Sequence, residues 1–157
     1  MRIRVLASVL AAAMIAAACD SSTAPGSVAD LAGLEQAESK WASQELHDYY
    51  FDYHYQFAGA IEAARIYVSG DSVAAALDSA SGKELQLDAG FAWPTVDSLF
   101  TRARAALTSK DVNVSVAYDA TLGYPTSMDV SPVVSTPAGG SSMRANNLKP
   151  MVVLTAQ

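Results

Sequence analysis

The sequence predicts an α+β fold, an antiparallel sheet of about five strands with two amphipathic helices packed on one face, in the order α-β-β-β-α-β-β. Three observations predict it. Two segments repeat their apolar residues at helical spacing, five repeat them at alternate positions, and the breaks between successive strand segments are short enough to join antiparallel neighbours. A chain of 157 residues has room for one such core plus a leader and tails.

The first helix is read over Leu31 to His47. Leu34, Ala37, Trp41, Ala42 and Leu46 share one side and Glu35, Glu38, Lys40 and Glu45 the other, so Trp41 is expected to anchor the helix in the core. Tyr49, Phe51, Tyr53, Tyr55 and Phe57 then alternate with Tyr50, Asp52, His54 and Gln56, the period of a strand whose aromatic face is buried. Arg65 to Ser69 and Ser72 to Leu77 flank Gly70-Asp71, a two-residue loop with glycine first that suits a type II′ turn. The expected register pairs Val68 with Val73 and Ile66 with Ala75. Asp78 to Lys83 reads as a turn and Glu84 to Leu87 as a candidate short strand.

Thr95 can cap a second helix by accepting from its orphan amides, and Asp97 suits the positive end of its dipole. Val96, Leu99, Phe100, Ala103 and Leu107 form its core stripe. Val112, Val114, Val116 and Tyr118 alternate as a strand, and Asp119 to Gly123 turns the chain into Tyr124, Thr126, Met128 and Val130 as its partner. Gly123-Tyr124-Pro125 reads as backbone chemistry: glycine closes the turn at positive φ, and Pro125 suits an edge strand lacking one donor. The domain is therefore bounded at 31–130. Residues 131–157 are rich in Ser, Pro and Gly and read as a largely irregular tail, with a candidate edge strand at 151–154.

The N-terminal thirty residues read differently. Arg2 and Arg4 precede the uncharged apolar run Val5 to Ala18, too short for a comfortable permanent span, so 1–18 are expected to be a signal peptide. The run ends in Ala16-Ala17-Ala18-Cys19, which resembles the bacterial lipobox, with Ala16 where leucine is more usual. That resemblance implies diacylglyceryl attachment to the Cys19 thiol, cleavage before it and further acylation with fatty acids such as palmitate. Ordinary cleavage after Ala18 is the alternative and would leave the chain's single cysteine as an exposed thiol with no partner. Asp20 to Asp30 is small, polar and broken by Pro25 and Gly26, a flexible tether within 19–30. The expected location is the cell envelope, anchored by lipid at the periplasmic face of the inner or outer membrane.

Removal of Arg2 and Arg4 with the leader leaves 8 basic against 16 acidic residues, a net charge of −8. Nucleic acid is excluded as a partner, because phosphates need clustered Lys and Arg. Acidity also disfavours electrostatic docking on anionic headgroups, so attachment to the membrane falls to the lipid.

The mature chain resembles a family of small exported bacterial proteins, many of them lipoproteins, catalogued only as a domain of unknown function. The residues that carry the likeness are Trp41, Tyr53 and Tyr55, Ser69-Gly70-Asp71-Ser72-Val73, Thr95-Val96-Asp97-Ser98-Leu99-Phe100, and Tyr118-Asp119 followed by Gly123-Tyr124-Pro125-Thr126. The resemblance implies no activity. Many relatives carry a Cys-x-Cys pair where this chain has Phe57-Ala58-Gly59-Ala60-Ile61, so no thiol chemistry is implied here.

His47 and His54 are the only imidazoles. Asp52 and His54 lie two apart on one strand, sharing the face opposite the aromatic stripe, and with Tyr50 they make the candidate binding residues. Their plain reading is a solvated polar face. Their catalytic reading, as half of a hydrolase or metal site, lacks a third group at suitable spacing. No cofactor, metal or catalytic residue is expected, since the sequence has no phosphate-cradling glycine loop, no Cys and His metal spacing and no serine-nucleophile motif. The leading expectation is a non-enzymatic binding or accessory module acting on an envelope protein or ligand. A small-ligand groove along Tyr49 to Phe57 is a further alternative.

Overall fold

The computed structural model describes residues 31–87, 90–137 and 139–151. The expected signal peptide, Cys19 and tether lie outside the described residues, as do 152–154 of the candidate edge strand. Among the described residues no helix is long and apolar enough to cross a membrane.

Two helices and a six-stranded antiparallel sheet follow in the order α1 (Leu31–Ala42), β1 (Tyr49–Phe57), β2 (Ala60–Ser69), β3 (Ser72–Asp78), α2 (Val96–Thr108), β4 (Val112–Tyr118), β5 (Pro125–Pro132) and β6 (Ser141–Pro150). Laterally the strands run β3-β2-β1-β6-β5-β4. The chain thus forms two three-stranded meanders, and the pairing of β6 with β1 welds them into one sheet.

That arrangement corrects the expected tail and the count of about five strands. Residues 141–150 are not irregular: they form an interior strand. Met143 and Ala145 are buried by alternation, and Leu148 regains the buried side only after a bulge at Asn147, whose φ is 56°. Two Ser, two Asn and one broken alternation hide a strand whose partners lie far away in sequence. Met151 belongs to no strand, although its amide donates to the Asp48 carbonyl. Pro125 is likewise not on an edge strand. It opens β5 below the stretch Ser127–Val130 that pairs with β6, so its missing donor is not needed there.

Helix α1 ends at Ala42, five residues before the expected limit. The Ser43 hydroxyl and the Gln44 amide both donate to the Lys40 carbonyl, and Glu45 takes φ 50°, which turns the chain into β1. Helix α2 begins as expected, with the Ser98 amide donating to the Thr95 hydroxyl at 3.2 Å. In the β2–β3 hairpin Val68 faces Val73, but a register shift then sets Ile66 against Ala76 rather than Ala75. Gly70 and Asp71 both take positive φ, 54° and 62°, the type I′ turn in place of the expected type II′. From 84 to 87 only Glu84 bridges to β3, at Leu77.

One apolar cluster unites the layers. It joins Leu34, Ala37 and Trp41 of α1 and Val96, Leu99, Phe100 and Ala103 of α2 to the alternate residues of the strands, among them Tyr49, Phe51, Tyr53, Ile66, Val68 and Met143. Trp41 stands edge-on to Tyr49, ring centroids 5.3 Å apart, and its indole N–H donates to Asp97 at 3.3 Å. Phe100 stacks on Tyr118 at 6.3 Å.

Candidate functional site

Alternation along β1 puts Tyr50, Asp52 and His54 on the side of the sheet opposite Tyr49, Phe51 and Tyr53. The antiparallel register then decides which residues join them: Tyr67 and Arg65 of β2 stand beside Tyr50 and Asp52, while Lys149 and Arg144 of β6 stand beside Tyr50 and His54. The result is a polar face with an aromatic corner.

Asp52 is its most connected group. One carboxylate oxygen accepts from Arg65 Nε at 2.7 Å, and the other accepts from Arg65 Nη2 at 3.1 Å and from Asn147 Nδ2 at 2.9 Å. The Arg65 hydrogen bond, assisted by Asn147 and opposed by partial burial, holds the carboxyl below its ordinary range. The Arg65 guanidinium also lies over the Tyr50 ring, 5.3 Å from its centre, and Tyr50 and Tyr67 lie 5.6 Å apart. Further along the face Arg144 makes a second two-pronged pair with Asp129, at 2.9 and 3.1 Å.

The three candidate residues therefore share a face, but no hydrogen bond joins Asp52 to His54. Asp52 is turned to Arg65 and Asn147 instead. His54 sits half-buried with Ala63 and Arg144 as its cross-strand neighbours. Among the described residues no group of three or more His, Cys, Asp or Glu side chains is gathered where a metal could be held. The other imidazole, His47, pairs at 2.9 Å with Asp71 at the opposite end of β2, and that hydrogen bond raises it from its ordinary value.

Most of the aromatic stripe of β1 is covered by protein, but Phe57 at its end is exposed rather than buried as expected. Tyr49, Phe51 and Tyr53 are buried, the Tyr49 hydroxyl accepts from the Val96 amide at 3.0 Å, and the Tyr53 hydroxyl accepts from Arg102 at 3.3 Å. Burial pushes both phenols up to about 12. Tyr55, with Phe91 and Trp93, closes the stripe as a half-exposed aromatic group.

Arg65, Tyr67, Arg144 and Asn147 escaped the sequence reading. Arg65 and Tyr67 could have been found by extending β2 back to a turn at Ala58-Gly59, which takes φ 49° and 83°. Arg144 and Asn147 had no such signal, because β6 was not legible.

Residues 33–150 match the model of DUF6174, a family of unknown function. No curated protein and no solved structure matches the chain.

Proposed function

We propose that this chain, which belongs to the DUF6174 family of unknown function, is a non-enzymatic binding module held at the cell envelope by lipid on Cys19. Both helices cover the side of the sheet that carries Tyr49, Phe51 and Tyr53, leaving the Tyr50, Asp52 and His54 side as the contact surface. Trp41 against Tyr49 and the Val96 amide on the Tyr49 hydroxyl support that placement.

One observation carries the binding reading. The Asp52 carboxylate is consumed by Arg65 and Asn147 rather than turned to His54, so the face is organised as a cross-linked polar surface with two half-buried tyrosines, Tyr50 and Tyr67. Rigid aromatic and two-pronged charged groups bind at low entropic cost. The leader, the single cysteine and the polar tether support the anchor.

A photo-reactive phenylalanine analogue at Tyr50 tests this in intact cells. It should give a discrete adduct that is lost on Tyr67→Ala combined with Arg65→Ala, while the same group at Thr101 on α2 should not give it. Equal adducts from both positions would refute the contact surface. Turnover of an ester or phosphate substrate that vanishes on His54→Ala would establish the enzyme instead.

A further inference from the structure

Four of the most exposed large apolar side chains lie at one end of the sheet, with Phe57 and Ile61 on its two opposite faces. Phe57 is 45% and Ile61 58% exposed at the β1–β2 turn, and Val133 and Val134 are 58% and 76% exposed just past β5. Antiparallel pairing places these segments together: β1 ends and β2 begins there, β5 ends and β6 begins there, and Phe57 lies across from Ser141. The two loops border an open cleft of about 440 Å³ whose lining includes Ala58, Gly59, Pro137, Gly139 and Gly140. Apolar side chains on neighbouring loop tips are costly to leave in water, at roughly 25 cal/mol per Å².

The first helix begins toward the same end. The far end of the sheet holds the Glu45–Asp48 turn, Gly70-Asp71 and the Asp119–Gly123 turn, and α1 rises from it: Trp41 meets Asp97 and Tyr49 near that end, while Glu38 pairs with Arg104 further up. The N-terminus of α1 therefore points toward the apolar loops. Residues 20–30 join it to Cys19, and eleven residues reach at most about 36 to 40 Å, enough to bring the domain down onto a bilayer. Among the described residues no cluster of cations marks this end, which carries Lys83 and Lys110 with Asp78, Glu84 and Asp111.

We infer that this end is a lipid-contacting tip: Phe57, Ile61, Val133 and Val134 rest in the interface of the bilayer to which Cys19 is anchored. The inference builds on the anchoring reading above. Apolar contact rather than headgroup charge would drive it, and the far end with Asp48, Asp71 and Asp119 would face away from the membrane.

The full-length acylated protein, reconstituted in phosphatidylcholine and phosphatidylethanolamine vesicles, tests this. A polarity-sensitive fluorophore is attached to Phe57→Cys or Val134→Cys and, for comparison, to Ser72→Cys or Thr121→Cys, and doxyl-labelled lipid serves as quencher. Quenching should be at least threefold stronger at 57 and 134 than at 72 and 121. Val133→Asp with Val134→Asp should reduce it at 57 while the melting temperature and the acyl mass of the N-terminal peptide stay unchanged. Acylated protein quenched equally at both ends would overturn the tip and leave the anchor standing. An N-terminal peptide without acyl groups would overturn both.

Discussion

Single side chains carry unequal shares of the fold. Trp41 meets Tyr49 and Tyr124 edge-on and donates to Asp97, so Trp41→Ala should cost about 3 to 5 kcal/mol by denaturant unfolding. An unchanged midpoint would mean that α1 does not seat in the core. Gly123 is constrained twice: its φ is 88°, and a Cβ there would meet the Ala37 carbonyl oxygen at 2.6 Å and the Trp41 amide nitrogen at 3.0 Å, backbone atoms of α1 that cannot swing aside. Gly123→Ala should therefore cost more than about 2 kcal/mol, and a loss below about 1 would show that turn and helix separate freely. His47 bonded to Asp71 supplies a pH-dependent contribution. Its folded pKa is raised, so the pair stabilises fully below the unfolded value of about 6.5 and fades as pH rises through the folded one. Asp71→Asn should accordingly melt below the parent at pH 6 and converge with it in alkaline buffer. A gap independent of pH would place the loss in the turn rather than the ion pair.

Among the elements, legibility followed the density of apolar residues. Both helices were readable because each carries a full stripe, with Thr95 marking the start of α2. Strands β4 and β5 were readable as antiparallel partners from their alternation, and the structure sets their register, Val116 against Met128 and Val114 against Val130. The start of β2 was missed because Ala60 to Ala64 lacks contrast between its two sides, and β6 because its buried set is two residues, a bulge and one more. Yet β6 lies between β1 and β5, paired with β5 over Ser141 to Arg144 and with β1 on its other side, where Ala145 faces Tyr53. Ala145→Pro should therefore cost about 3 kcal/mol or more and broaden the unfolding transition. A stable variant would restore the irregular tail.

The whole molecule combines an expected anchor, a tether and a domain, and its attachment can be tested at one atom. Cys19→Ser should incorporate no labelled fatty acid and accumulate as unprocessed precursor, because the lipid is carried by the thiol. Equal mature size and no label in parent and variant would make ordinary signal cleavage the right reading. The sequence by itself determined the α+β class, two helices with their core stripes, the alternation that sets Tyr50, Asp52 and His54 on one face, and the acidic charge. Those are properties of period and composition, which act locally. Tertiary structure decided the sixth strand, the joining of the two meanders, the capture of Asp52 by Arg65 and Asn147, and the gathering of Phe57, Ile61, Val133 and Val134 at one end. The partners in each case are drawn from separate strands or loops, and only pairing register brings them within reach, a long-range choice that local propensity does not encode.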